Sequence, residues 1–247
     1  MNLLFIGSLV IQALLIIHCI KTGRNTIWIW VIALLSYAGI IAYLAVELIP
    51  DLFKSRTARR TAKGFKKALD PGADLRRYEN EARVTGNIAS QQRYAQELIK
   101  QGRAGEAVDI YRQTLKGLYE HDPDLMLGLA RAQFEAGKAP DARATLDELI
   151  VRNPQFRSPE GHLLYARALE SEGNAVKALD EYKVLAGYYP GAEAAVRYAR
   201  LLKGADRRDE AKTALRELLD HARMAPAHYR RAQDDWLRQA ERELGSL

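Results

Sequence analysis

With 247 residues, 48% of them hydrophobic, the chain is long enough for one or two compact units with a packed core. Its formal net charge of +6 invites a nucleic-acid reading, but the excess is local: residues 71–247 carry 28 basic and 28 acidic groups, so the surplus belongs to one block at 54–67. The single cysteine, Cys19, excludes an intrachain disulfide and leaves packing to hold the fold.

Residues 1–50 hold Lys21, Arg24 and Glu47 as their charged groups. Leu3 to Ile20 is apolar apart from Gly7, Ser8, Gln12 and His18, and as a helix it measures about 27 Å, near the thickness of a hydrocarbon core. A second run, Ile27 to Ile49, is long enough to span with tilt and is closed by Pro50. There is no basic n-region and no A-x-A site before the second run begins, so the pattern predicts a retained two-helix transmembrane hairpin rather than a cleaved signal peptide. Lys21 to Thr26 forms the connection, and Trp28 and Trp30 sit at interface depth. Ala38, Gly39, Ala42 and Ala45 allow close approach within the hairpin, a simpler reading than a dedicated oligomer interface. His18, Gln12 and Glu47 lie near span ends or can bond across the hairpin, so a structural role is expected of them. Seven Lys/Arg after the second run outweigh two in the turn, which puts both ends of the hairpin in the cytoplasm. A shallow re-entrant hairpin is the other topology that these runs allow.

The paired apolar runs around a Lys/Arg-Asn turn, the Trp28 to Trp30 start, Gly39, Tyr43 and the exit at Glu47 to Pro50 resemble the short N-terminal membrane domain of bacterial cardiolipin synthases of the phospholipase D superfamily. The likeness covers about 45 residues of anchor. Ser36 and Tyr37 stand where that family often has a proline. The superfamily's catalytic H-x-K-x-x-x-x-D is absent: the residues two after His18, His121, His162, His221 and His228 are Ile20, Pro123, Leu164, Arg223 and Arg230. The resemblance therefore implies an anchor and no phosphodiesterase activity.

Residues 51–86 form a basic juxtamembrane connector. Lys54, Arg56, Arg59, Arg60, Lys63, Lys66 and Lys67 adjoin a bilayer exit, and each cation near an anionic leaflet contributes on the order of 1 kcal/mol, so lipid headgroups are the expected partner. The bland alternative is a positive-inside signal that binds nothing. Asp70-Pro71-Gly72 breaks the helix, and Asp74 to Val84 predicts one more polar helix before the array.

From residue 87 on, small residues recur at Ala95, Ala130, Ala166 and Ala199, at intervals of 35, 36 and 33, and each is followed twelve residues later by Ala107, Ala142, Ala178 or Ala211. A constant offset inside a drifting period is what two helices joined by a fixed turn require. Gly102, Gly137 and Gly173 mark the turns, with Asp206 at that place in the fourth unit, and Pro123, Pro154, Pro190 and Pro226 close the units. The stretch Ser158 to Pro190 is the best-formed copy. A small residue in each helix, a glycine between them, an aromatic in the second (Tyr111, Tyr182) and a closing proline are similar to the tetratricopeptide repeat. The predicted fold is thus all-α: the hairpin at 1–50, the connector at 51–86, and at 87–247 an α-solenoid of four tetratricopeptide-like helix pairs plus a capping helix. In that cap, Ala227 to Leu244, the stripe Tyr229, Ala232, Trp236, Ala240 and Leu244 is expected to face the core.

Such repeats expose the first helix of each unit on a concave face. The residue after its alanine is Gln96, Arg131, Arg167 and Arg200 in successive units, a ladder able to hold carboxylates or phosphates by paired hydrogen bonds. In the resembled family, residues of this kind line the peptide groove. Glu135 and Glu170 lie four and three residues after Arg131 and Arg167, so ordinary intrahelical pairs are the competing expectation.

The nucleotide, metal and hydrolase motifs G-x-G-x-x-G, P-loop, C-x-x-C, H-E-x-x-H and G-x-S-x-G are all missing, which points away from an enzyme, a metal site and any cofactor. The expected function is a scaffold in the bacterial cytoplasmic membrane whose cytoplasmic repeats recruit a protein or peptide partner for envelope or lipid metabolism. Two alternatives stand beside it: a regulatory subunit of a membrane enzyme such as a phospholipid synthase, bound through the hairpin, and an assembly factor with its repeats outside the cytoplasmic membrane.

Overall fold

A computed structural model describes residues 3–21, 27–32, 70 and 72–247, in two compact units, Met1–Ala73 and Asp74–Leu247. Every regular element among the described residues is helical. In the first unit, α1 (Leu3–Lys21) and a helical segment at 27–32 pack through Cys19 and Ile32, both fully buried, with Leu15, Ile16, Trp28 and Ile29 around them. Side chains of α1 are described from residue 11. Among the described residues no helix is long and apolar enough to cross a membrane. The rest of the second expected span and the basic block from Lys54 to Lys67 lie outside the described residues.

The second unit begins with α2 (Ala73–Thr85), which sends Leu75 into the core of the first repeat. Four helix pairs follow: α3 (Ile88–Lys100) with α4 (Ala104–Thr114), α5 (Pro123–Glu135) with α6 (Ala139–Arg152), α7 (Pro159–Ser171) with α8 (Ala175–Tyr188), and α9 (Glu193–Gly204) with α10 (Arg208–Met224). Three of the four first helices start where a side chain accepts an otherwise unpaired N–H: Asn87 from Ser90, Asp122 from Leu125, Ser158 from Gly161. Each pair is packed against the next. All eight alanines of the two recurring sets are at most 1% exposed. A methyl at those places is what lets neighbouring backbones close together.

The turns are alike to the level of single bonds. Gly102, Gly137 and Gly173 have φ of 75°, 77° and 78°, and Asp206 has φ of 60°. In each turn the residue after the left-handed one donates its N–H five residues back, Arg103 to Leu98, Lys138 to Gln133, Asn174 to Leu169 and Arg207 to Leu202, all at 2.9 Å. The left-handed residue itself donates three back, closing the paired-bond helix end known as the Schellman motif. Asp206 therefore adopts the geometry of the glycines while carrying a Cβ that opposes it.

Between pairs, Tyr111, Leu146, Tyr182 and Leu215 fill the layer, each at most 2% exposed. The Tyr111 ring lies directly on Gly128 of the next repeat, where any Cβ would overlap it. At the C-terminus the single expected helix is instead two, α11 (Ala227–Ala232) and α12 (Asp234–Gly245). The break frees Gln233 to accept the N–H of Ala192, at 2.9 Å, at the start of α9. Ala240 is fully buried and Trp236 and Leu244 pack on the core of the last two repeats, whereas Ala232 is exposed, so the expected apolar stripe holds over α12 and fails at Ala232.

Substitutions at equivalent turn positions should move stability in opposite directions. Asp206→Gly relieves the left-handed backbone and should raise the unfolding free energy by about 1 kcal/mol, whereas Gly137→Ala should lower it by a similar amount, read from urea midpoints. Gly128→Ala, which forces the buried Tyr111 ring to move, should cost about 1–3 kcal/mol in the same titration.

Candidate functional site

The four ladder positions sit one residue after a buried alanine on α3, α5, α7 and α9, which turns each toward the face formed by first helices. Gln96 and Arg131 are exposed, and Arg131 forms no ion pair among the described residues. They meet at Tyr111: burial pushes its hydroxyl above the usual tyrosine range, while the Arg131 charge and a hydrogen bond from Gln96 pull it back. Arg167 is about a quarter exposed and lies over the Phe134 ring at 4.6 Å from the centroid. Its nearest carboxylates are Glu135, one repeat earlier, at 3.7 Å and Glu193, one repeat later, at 3.8 Å. Neither reaches hydrogen-bond distance, and its buried Nε has no hydrogen-bond partner.

Arg200 is committed elsewhere. Its Nε donates to Glu243 Oε1 at 2.9 Å and its terminal nitrogen to Gln239 Oε1 at 2.8 Å, both on α12. Lys203 adds a contact to Glu243 at 3.2 Å. Although burial raises the Glu243 carboxyl, the hydrogen bonds from Lys203 and Arg200 outweigh it and hold the group below the usual carboxylate range. The array thus brings Gln96, Arg131 and Arg167 into one neighbourhood with donor capacity, while Arg200 anchors the cap.

The expected intrahelical partners are differently employed. Glu135 approaches Arg167 across the repeat boundary. Glu170 accepts from the Tyr182 hydroxyl at 2.7 Å and from Arg197 at 2.9 Å. Arg197, which the sequence reading passed over, also donates to Glu193 at 2.7 Å and faces the Trp236 ring at 5.5 Å. Burial, reinforced by the hydrogen bond to Glu170, pushes the Tyr182 hydroxyl far above its ordinary range, so it acts as a fixed donor. Tyr189 was missed as well. Burial and the charges of Glu193 and Glu160 raise it, while Arg167 and Arg131 both lower it, so its hydroxyl lies within the field of two ladder arginines. The one sequence signal for it was its place just before the unit-ending Pro190. Among the described residues no group of His, Cys, Asp and Glu side chains is arranged to hold a metal ion.

The clamp on Glu243 gives a signed pH dependence. Its folded value is depressed, so the stability it contributes is present above the unfolded value of about 4.3 and is lost as pH falls through the folded value. Glu243→Gln should cost about 1 kcal/mol at pH 7. The gap between the two proteins in thermal or urea unfolding should close below about pH 4.

The sequence matches a tetratricopeptide repeat family model over residues 98–168. No curated protein matches it. Among solved structures, a Podosopora anserina putative kinesin light chain with nearly identical TPR-like repeats is 19% identical at a TM-score of 0.52, covering 64% of this chain and 87% of that one. A thermophilic TPR protein from Thermus thermophilus is 18% identical at 0.51, covering 72% and 96%. The MamA protein is 18% identical at 0.50, covering 64% and 86%. At such identities the likeness is one of fold. The match over 98–168, the fourfold turn geometry and the shared solenoid together show an α-solenoid of tetratricopeptide-like helix pairs.

Proposed function

We propose that this chain is a non-enzymatic, membrane-anchored adaptor that recruits a protein partner through the face carrying Gln96, Arg131, Arg167 and Arg200. The observation that carries the reading is the state of Arg167: a guanidinium on the first-helix face, propped on Phe134, between two carboxylates that stop short of hydrogen bonding it. Arg131 beside it is exposed and without an ion pair among the described residues. Acidic side chains or a terminal carboxylate of a partner can complete both. Arg200 contributes at the edge by holding α12 in place. The repeat region is formally neutral, so recognition depends on these placed groups rather than on a general field.

Anchoring is proposed from the first unit. In α1 the packed residues Leu15, Ile16 and Cys19 are apolar, and so are Leu14, Ile17 and Ile20 on the open side, each at least half exposed. A helix apolar all round is suited to lipid. The sequence of α1 from Leu3 to Ile20 carries no formal charge. On this reading the hairpin lies in the bacterial cytoplasmic membrane, the cations from Lys54 to Lys67 meet anionic headgroups, and the repeats face the cytoplasm. The likeness of the anchor to that of cardiolipin synthases favours a role in envelope or lipid metabolism.

Proximity labelling from the C-terminus in living cells should identify the partner. Joint replacement of Arg131 and Arg167 by Ala should abolish its recovery while thermal unfolding and membrane fractionation stay unchanged. Undiminished recovery removes the groove as the recruiting surface. Protease added to spheroplasts should leave the repeats intact until lysis, and digestion without lysis would put them on the other side.

A further inference from the structure

The face formed by the first helices carries more than its arginines. Seven residues before Gln96, Arg131, Arg167 and Arg200 stand Ala89, Asp124, Glu160 and Glu193. Seven residues make two turns of helix, so each carboxylate points the same way as the arginine that follows it, about 10 Å nearer the helix start. At that separation the two cannot bond each other. In the last repeat both charges are spent elsewhere: Glu193 accepts from Arg197 at 2.7 Å, and Arg200 donates to Glu243 at 2.9 Å. In the second and third repeats they are not. Asp124 and Glu160 are exposed, and neither carboxylate forms a hydrogen bond or an ion pair among the described residues. The helix dipole favours a carboxylate in a first turn, but it leaves most of that charge open to a partner.

Charges of both signs reach the same space. The Tyr189 hydroxyl, raised by burial, is raised further by Glu193 and Glu160 and lowered by Arg167 and Arg131, so one group feels carboxylates and guanidiniums from repeats 2, 3 and 4. Glu135, 43% exposed and 3.7 Å from Arg167, adds another carboxylate. The formally charged side chains of α5 and α7 that form no hydrogen bond among the described residues are then Arg131 and Arg167 against Asp124, Glu135 and Glu160. A segment bearing carboxylates alone gains at the first two and is repelled at the other three. One bearing cations alone meets the reverse. Complementarity to this face therefore requires both signs in one occupant.

We infer that the partner segment recognised on this face is one of mixed charge, which brings carboxylates to Arg131 and Arg167 and lysine or arginine side chains to Asp124 and Glu160. The inference rests on the reading of this face as the recruiting surface and adds a second requirement to it. In an extended chain successive side chains point to opposite sides, so alternating acidic and basic residues present one sign to the guanidiniums and the other to the carboxylates. Asp124 and Glu160 then act as selectivity residues: they reward the mixed segment and repel a purely acidic one that the arginines alone would accept.

The test uses the full-length chain in detergent micelles and two rhodamine-labelled peptides blocked at both ends, Glu-Lys-Glu-Lys-Glu-Lys-Glu-Lys and its all-glutamate counterpart, followed by anisotropy. Because the cations from Lys54 to Lys67 can also hold an acidic peptide, the readout is the change on substitution. Joint Asp124→Asn and Glu160→Gln should weaken the alternating peptide about fivefold and tighten the all-glutamate one, with melting curves unchanged. Joint Arg131→Ala and Arg167→Ala should weaken both. If the arginine pair weakens the alternating peptide while the carboxylate pair leaves it unchanged or tightens it, the mixed-charge inference falls and the recruiting face stands. An all-glutamate peptide that gains nothing from neutralising the carboxylates overturns the inference as well. Absence of binding by the alternating peptide, or its indifference to both pairs, removes the face itself and the inference with it.

Discussion

Everything in the second unit depends on a steric allowance: at eight recurring positions no side chain is larger than a methyl, and all eight are at most 1% exposed. Helices that approach so closely exclude water from their contact and leave the larger residues, Tyr111, Tyr182 and Leu215, to fill the layer between pairs. The turn then has one task, to reverse the chain over a short distance, and the left-handed residue with its two backbone bonds does this four times. The repeat is thus a backbone solution first and a side-chain pattern second, which is why Asp206 can occupy a glycine's place at a modest energetic cost.

Polar groups enter this frame in two ways. Some are spent on cohesion: Arg197 joins α7, α9 and the Trp236 ring of α12, and Arg200 ties α9 to Glu243 and Gln239. Others remain in reserve, above all Arg167 between carboxylates at 3.7 and 3.8 Å and the exposed Arg131. Residues at one register of a repeat have therefore diverged in use, with Arg200 of the last repeat holding the cap.

Periodic features were legible in the sequence. The twelve-residue offset gave the helix pairs, and the glycines and Asp206 gave the places of the turns, because local sterics decide both; the left-handed backbone there is what the structure adds. What was not legible depends on contacts between distant residues. Arg200 meets a glutamate 43 residues away, and nothing near either position signals it. Glu170 has Arg167 three residues before it yet bonds Arg197 of the stacked neighbour. The break at Gln233 is a tertiary choice too: a continuous helix has the local propensity, but the N–H of Ala192 is buried and its acceptor comes from Gln233.

The ends of the array are held unequally. At the C-terminal end Trp236, Ala240, Gln233 and Glu243 all grip the last repeat, by ring contact, packing, hydrogen bond and ion pair. At the other end α2 contributes Leu75 to the first repeat's core and Glu81 to Arg93. In a solenoid whose units are stabilised by nearest neighbours, fraying starts at the weaker end and travels inward. Local opening of this domain therefore has a direction, from α2 towards α12, so transient exposure of backbone is concentrated next to the connector and the C-terminal repeats stay closed.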